Sequence, residues 1–286
     1  MAVAVCAGCA QGGTADAQAA ITQPRLLKTA TVYVKNPENG EWREQSVSTY
    51  EYEKGYPVSM TLVENGGEAS SKTTFKYMFD GAEPAYMEQF SDSGDISSVT
   101  EYENGRINRV DSVNEDKTHV GMQMYSYADD SPYFTLVFHS TRDTSVPEDG
   151  STMEEADSVQ VSTKDGLLVK TVNSGLYANW NDGEAKEWMR FNGTYTAEYE
   201  NGILHHTSGV FRSGPSSAEG EYEVTVKDGA VAEVLEKSVA ENGEVTEDAR
   251  YEFTYTDEEM DLARYCAMIN AQLMPGGSTF YIYNWY

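Results

Sequence analysis

An all-β fold, a large curled antiparallel meander, is what this sequence predicts, and three observations carry the prediction. The first is a two-residue turn signal that recurs between alternating runs. It occurs at Asn39-Gly40, Lys54-Gly55, Asn65-Gly66, Asp80-Gly81, Asn104-Gly105, Asp165-Gly166, Asn201-Gly202, Asp228-Gly229 and Asn242-Gly243. A type I′ hairpin turn needs φ > 0 at both central residues, and these dipeptides supply it most readily. The second is the tyrosine content, 20 of 286 residues, which suits half-buried strand positions. The third is the stretch from Ile96 to Val113, where alternating runs flank Asn104-Gly105.

With Asn104 and Gly105 in the turn, Tyr102 faces Ile107, Val99 faces Val110, Ile96 faces Val113 and Glu103 faces Arg106. Apolar and opposite-charge pairs of this kind stabilise neighbouring strands. The same reading pairs Tyr199 with Leu204, Val226 with Val231, Tyr222 with Leu235 and Val159 with Val172. Lys54-Gly55 is the weakest of the turn signals, because a lysine tolerates positive φ poorly. Strands of roughly six to ten residues between such turns add up to more than a dozen. A sheet that large cannot stay flat, so it curls.

Two hairpins nearly repeat each other, Glu101-Tyr-Glu-Asn-Gly105 and Glu198-Tyr-Glu-Asn-Gly202. Tyr102, Gly105, Arg106, Ile107, Tyr125 and Tyr127 follow an order that resembles the YD (Rhs-type) repeats of bacterial surface and secreted proteins. That resemblance implies extended or spirally wound sheets, and it implies no activity.

The rest of the chain is read in order. Residues 1–24 are small, apolar and then Gly/Ala/Gln/Thr-rich, which suits a signal remnant and a flexible tether. Residues 25–286 form one antiparallel β domain. Residues 143–157 are acidic with Pro147 and Gly150, and a long loop is expected there. Thr256-Asp-Glu-Glu259 has the capping-box pattern that starts a helix. Leu262, Cys266, Ile269 and Leu273 then fall on one face, and Pro275-Gly276-Gly277 stops the run, so the helix is expected over 257–274. Residues 278–286 are apolar on both faces, with Phe280, Ile282 and Tyr286 on one and Tyr281, Tyr283 and Trp285 on the other. They read as a last strand inside the sheet, with the helix packed on it.

Cys6-Ala7-Gly8-Cys9 resembles the lipobox of bacterial lipoproteins, with Ala7, Gly8 and Cys9 matching the small-residue pair and the invariant cysteine. The resemblance implies a lipid on Cys9, a membrane partner through that anchor, and an extracytoplasmic place on the cell envelope. Cys266 is the one cysteine of the domain, so no internal disulfide is possible there.

The net charge is −27, with a pI near 4.3. A polyanion of that size is repelled by phosphate backbones, which sets nucleic acid aside as a partner. No run is long enough to span a membrane as a helix.

Chemistry has few candidates. The histidines are His119, His139, His205 and His206. His205 is placed opposite Glu198, and His206 on the other face beside Ala197 and Tyr199; neighbours on a strand point apart, so the two cannot share one metal. Asp92-Ser-Gly-Asp95 and Asn179-Trp-Asn-Asp-Gly183 are the nearest approaches to a calcium loop, and neither completes the spacing. No nucleophile elbow or paired cysteine is present. No catalytic, cofactor or metal residue is therefore assigned, and no cofactor is expected. The expected function is a non-enzymatic envelope lipoprotein whose sheet is a scaffold for an unknown protein, glycan or hydrophobic ligand. A half-barrel carrier of a hydrophobic or lipid ligand is the alternative, and a hydrolase the second. A filled interior favours the scaffold, an apolar lumen the carrier, and convergent polar groups the enzyme.

Overall fold

The computed structural model describes residues 25–259, apart from 37, 65, 68, 114–118, 129–133, 144–150, 165–166, 182–183, 201–202, 214–215 and 229. The strands are β1 (Arg25–Lys35), β2 (Trp42–Glu53), β3 (Tyr56–Glu64), β4 (Ala69–Asp80), β5 (Glu83–Phe90), β6 (Ile96–Glu103), β7 (Arg106–Val113) and β8 (His119–Tyr127). They continue as β9 (Phe134–Asp143), β10 (Ser151–Lys164), β11 (Leu167–Asn181), β12 (Glu184–Glu200), β13 (Ile203–Ser213), β14 (Ser216–Lys227), β15 (Ala230–Val239) and β16 (Val245–Glu259). Each pairs antiparallel with its neighbours in sequence, and β1 pairs with β16, so the meander closes into a barrel of 16 strands. Closure goes beyond the curl expected from strand number: the ladder runs from Arg25 opposite Glu259 to Val34 opposite Ala249 and leaves no open edge.

The Asn104-Gly105 turn forms as read, with φ of 53° and 73°. Tyr102 pairs with Ile107 and Glu103 with Arg106. Beyond them the ladder departs from the expected register. Asn108 is an extra residue, so Thr100 meets Val110 and Val99 meets Asp111. The same extra residue sits third in the second strand of five further hairpins, at Val58, Ala85, Val169, His205 and Ala232. This slip is why Val159 pairs with Asn173 rather than Val172, and Tyr222 with Glu236 rather than Leu235. Tyr199–Leu204 and Val226–Val231, nearer their turns, hold as read. A bulge adds local twist and bends its strand, and repeated bulges at one level coil a wide sheet into a closed one.

The tight turns all lie at one end of the barrel. Lys54 accepts φ of 54° there despite its side chain. The turn expected at Asp80-Gly81 is one residue further on, at Gly81-Ala82, with only Gly81 at positive φ, as in a type II′ turn. Asn39-Gly40 and Asn242-Gly243 are not two-residue turns but parts of longer connections at the opposite end. In each, the asparagine side chain accepts from the N–H two residues on, Glu41 at 3.0 Å and Glu244 at 2.9 Å. Arg25 and Glu259 lie at the tight-turn end, so the chain enters and leaves the barrel there.

Two expectations are overturned. The start of the helix, 257–259, is strand: β16 continues the alternation of Tyr251, Phe253 and Tyr255 to Glu259, and the ladder to β1 outweighs the capping pattern. Thr256 Oγ1 does accept from the N–H of Glu258, at 3.2 Å, a local bond compatible with extended chain. The remainder of that helix and the strand at 278–286 lie outside the described residues. The long loop expected at 143–157 is shorter, because β10 begins at Ser151 and is paired on both sides, with β9 and β11.

Alternation sorts side chains between inside and outside. Leu27, Ala30, Tyr50, Phe75, Met87, Ile107, Val110, Val224, Val234, Tyr251 and Phe253 belong to one buried interior cluster. Burying a side chain of this size contributes about 1.5–3 kcal/mol each. Gly105→Val is expected to cost about 1–3 kcal/mol of stability, because it sets a β-branched residue at positive φ. A Cβ there would also stand 3.3 Å from the Glu83 carboxylate. Thermal unfolding of the variant checks this; an unchanged Tm would contradict the turn geometry.

Candidate functional site

Three places concentrate chemistry, and the bulged hairpins build the first. At the tight-turn end, each strand that runs into the rim carries an aromatic residue just before its last ladder pair. Tyr52, Phe79, Tyr102, Tyr127, Tyr199 and Tyr255 occupy these positions. Tyr52 donates to the carbonyl of Leu27 at 2.7 Å, and Tyr255 to that of Val231 at 2.8 Å. The first residue after each tight turn reaches towards the next hairpin. Tyr56 meets Phe79 with ring centroids 5.3 Å apart, Glu83 approaches Gly105, and the Arg106 guanidinium lies 4.9 Å from the Tyr127 ring centre.

Two cavities open in this rim. One of about 450 Å³ lies between the β2–β3 hairpin and β4, lined by Glu53, Lys54, Tyr56, Phe75, Tyr77 and Phe79 among others. The other, about 230 Å³, lies under the β6–β7 hairpin against β8, lined by Glu103, Arg106, Ile107, Asn108, Tyr125 and Tyr127 among others. Burial pushes the Tyr52, Tyr77, Tyr102 and Tyr125 phenols far above their ordinary range, and neighbouring phenols add to it for the last three.

The second place is inside the barrel on the β8–β13 side. Gln123, His139 and Asp157 are direct cross-strand neighbours on one inner row. His139 Nδ1 lies 2.7 Å from Asp157 Oδ1. A carboxylate only accepts, so Nδ1 carries the proton and donates. Tyr125 donates to Gln123 Oε1 at 2.6 Å. On the β15 wall the Glu236 carboxylate accepts from Tyr251 at 2.7 Å and Tyr222 at 3.4 Å. Tyr195 of β12 lies three strands away in the sheet, yet Glu236 helps raise its phenol, after burial, so the wall curls sharply inward. Inner-row glycines make room for rings: a Cβ on Gly209 would lie 2.0 Å from Tyr195, and one on Gly175 2.5 Å from Phe191.

The third place is the outer face. Charged residues stand at mid-height around most of it. Glu219, Glu221 and Glu223 of β14 alternate with buried Tyr222 and Val224. Arg109 and Asp111 of β7 form an ion pair at 2.8 Å beside buried Val110. Across β8–β11 the surface changes: Val120, Met124, Phe138 and Leu176 are exposed, with Met124 directly opposite Phe138.

Sequence-derived candidates end apart from one another. The bulge at His205 moves the pairing by one, so His206, not His205, lies opposite Glu198, 3.7 Å from its carboxylate and 3.9 Å from Glu221. Asp92 Oδ1 accepts from the N–H of Lys72 at 3.3 Å, while Asp95 accepts from Ser93 at 3.0 Å, so the two carboxylates of that loop are held by different partners. Of the 179–183 stretch, 182–183 lie outside the described residues, as does Cys9. Among the described residues no three or more His, Cys, Asp or Glu side chains converge as a metal site would require. The His139–Asp157 pair was missed in the sequence because its partners are 18 residues apart on different strands. The interior glycines were legible: a mid-strand glycine signals a close approach.

No protein-family model matches the chain, and no curated protein matches it. Two solved structures are similar to it. One is a porin-like protein from Bacteroides uniformis ATCC 8492, 12% identical, with a TM-score of 0.49, covering 82% of this chain and 100% of that one. The other is a porin-like protein from Bacteroides vulgatus ATCC 8482, 11% identical, with a TM-score of 0.48 and the same coverage.

The tyrosines set an alkaline limit. A phenol whose folded pKa is raised contributes stability that is complete below its unfolded value, near 10, and lost as pH rises past it. Absorbance at 295 nm is therefore expected to show Tyr52, Tyr77, Tyr102, Tyr125 and Tyr222 ionising only together with loss of the β dichroism. A smooth titration centred near pH 10 with the fold intact would show these phenols to be open to solvent. Separately, Gly209→Ala is expected to destabilise by about 1–3 kcal/mol through overpacking against Tyr195. Gly220→Ala, whose Cβ would meet nothing nearer than 3.7 Å, should be nearly silent in the same melts.

Proposed function

We propose that this chain is a non-enzymatic cell-envelope lipoprotein whose barrel is a water-facing binding scaffold, tethered through a lipid on Cys9. The observation that carries the reading is the direction of the alternation. A barrel that spans a bilayer turns an apolar band about 25 Å tall outwards, and a charge at its midplane costs about 2–4 kcal/mol. Here Glu221 lies halfway along β14 and faces out, Arg109 and Asp111 do so on β7, and the aliphatic and aromatic side chains face in. The uncharged outer surface around Met124 and Phe138 is the face best suited to a protein partner. Residues 10–24 would run from the anchor to Arg25, which puts the tight-turn rim towards the membrane.

A carrier is the second reading, favoured by the aromatic cavity of about 450 Å³, a volume in the range of small-molecule sites. His139–Asp157 alone supports no hydrolase reading, since Asp157 is the one hydrogen-bond partner of that ring among the described residues.

The test is one of partitioning. The chain with its natural signal should enter the detergent phase and take up a fatty-acid probe, and Cys9→Ala should abolish both. Residues 25–286 alone should be soluble without detergent. Equal labelling of Cys9→Ala would overturn the anchor, and a barrel that needs detergent would overturn the water-facing scaffold. A lipid recovered in stoichiometric amount by solvent extraction would favour the carrier.

A further inference from the structure

The two rim cavities are the same construction made twice. Each lies beneath a tight hairpin that carries a glutamate before the turn, Glu53 or Glu103, and a bulge three residues into its second strand, Val58 or Asn108. Each is floored by two aromatic residues of the next strand that runs towards the rim. Tyr77 and Phe79 floor the first, Tyr125 and Tyr127 the second, and Phe79 and Tyr127 hold equivalent register positions beside a bulge. The constructions differ at one position, the first residue after the turn. In the smaller cavity it is Arg106, whose guanidinium covers the Tyr127 ring at 4.9 Å. In the larger it is Tyr56, which adds a third ring, 5.2 Å from Tyr77 and 5.3 Å from Phe79.

From this pairing we propose that the larger cavity binds an organic ammonium group, held on the faces of Tyr56, Tyr77 and Phe79. Arg106 shows within the same molecule what this framework accepts: a delocalised, weakly hydrated cation on an aromatic floor. Attraction of a cation to a ring face strengthens as the site is desolvated, and several rings around one cation add to it. The mouth of the cavity is close to neutral, because Glu53 and Lys54 stand side by side in the hairpin. Lys76 also lines it, but its ammonium is turned to the Phe90 ring, 4.1 Å away. The net charge of −27 then decides the sign of the ligand, drawing cations and repelling anions. Phe79 is 46% exposed, so a ring face remains reachable from solvent. The ammonium could come from a free small molecule or from a zwitterionic lipid headgroup, and the chemistry of recognition is the same.

Choline and tetramethylammonium are titrated into the full chain and followed by tyrosine fluorescence and by NMR. Saturable binding is expected, with at least tenfold weaker affinity for 3,3-dimethylbutan-1-ol, the neutral isostere of choline. Tyr56→Arg rebuilds the smaller cavity in the larger, so it should abolish choline binding while the melting temperature and far-UV dichroism stay as in the parent. Phe79→Ala should weaken binding about tenfold, and Phe138→Ala, on the distant outer face, should leave it unchanged. Flotation with phosphatidylcholine vesicles, lost in Tyr56→Arg, would identify the source as a lipid headgroup; binding of choline without flotation would identify a free cation. Equal affinity for the neutral isostere, unchanged binding in a folded Tyr56→Arg, or no binding of either ammonium would overturn the proposal. The partition of Cys9→Ala is independent of all these outcomes, so the anchor and the cation site fail separately.

Discussion

The ladder between β1 and β16 is the constraint on which the rest depends. Once Arg25–Val34 is paired with Ala249–Glu259, every strand has two partners and the sheet has an inside and an outside. Each residue is then assigned to one side by a period of two, and a slip of one residue would turn a whole strand inside out. The bulges respect this rule in an unexpected way. They add one residue at the same level in hairpin after hairpin, near the tight turns, so the exchange of faces occurs once per strand and at one height. That shared height makes the rim a structural feature distinct from the wall below it.

Below the rim the two sides of the interior differ. From β14 round to β7 the inward positions are mostly aliphatic and aromatic, and nearly all are fully buried. From β8 to β13 glycine, asparagine, threonine and the His139–Asp157 pair interrupt the apolar rows. Buried polar groups are tolerated only when they have partners, and here they find them one strand away rather than along their own strand. Large rings fill the space that the inner glycines leave, as Tyr195 does over Gly209. The outside is charged where the inside is apolar, which is the arrangement of a barrel solvated by water and the reverse of one solvated by lipid.

The rim joins the architecture to the proposed chemistry. Latching residues after successive turns, Tyr56, Glu83 and Arg106, are an aromatic, an acid and a base, each set against the next hairpin. A repeated backbone therefore carries different chemistry at equivalent places, and the cavity under β2–β3 differs from that under β6–β7 by what one side chain contributes. The chain termini leave at this rim, so a tether on residues 10–24 and the cavities belong to the same end of the molecule.

Local chemistry was legible in the sequence by itself. Asn104-Gly105 declared a turn because only certain residues accept positive φ, and the pairs beside it, Tyr102–Ile107 and Glu103–Arg106, followed from geometry. The all-β class, the meander and the strand number followed from repetition of that signal. Tertiary structure decided what depends on residues far apart in the chain. Val99 lost its expected partner because a bulge at Asn108 answers to the curvature of the whole sheet and not to its neighbours. Thr256–Glu259, a helix start by its own preferences, became strand because β1, more than 220 residues earlier, offers a ladder that a short helical turn cannot outweigh. His139 met Asp157, and Tyr56 met Phe79, only once strands had been placed side by side. A sequence states which conformations each short segment prefers; closure chooses among them, because the hydrogen bonds of a barrel are satisfied only when its first and last strands meet.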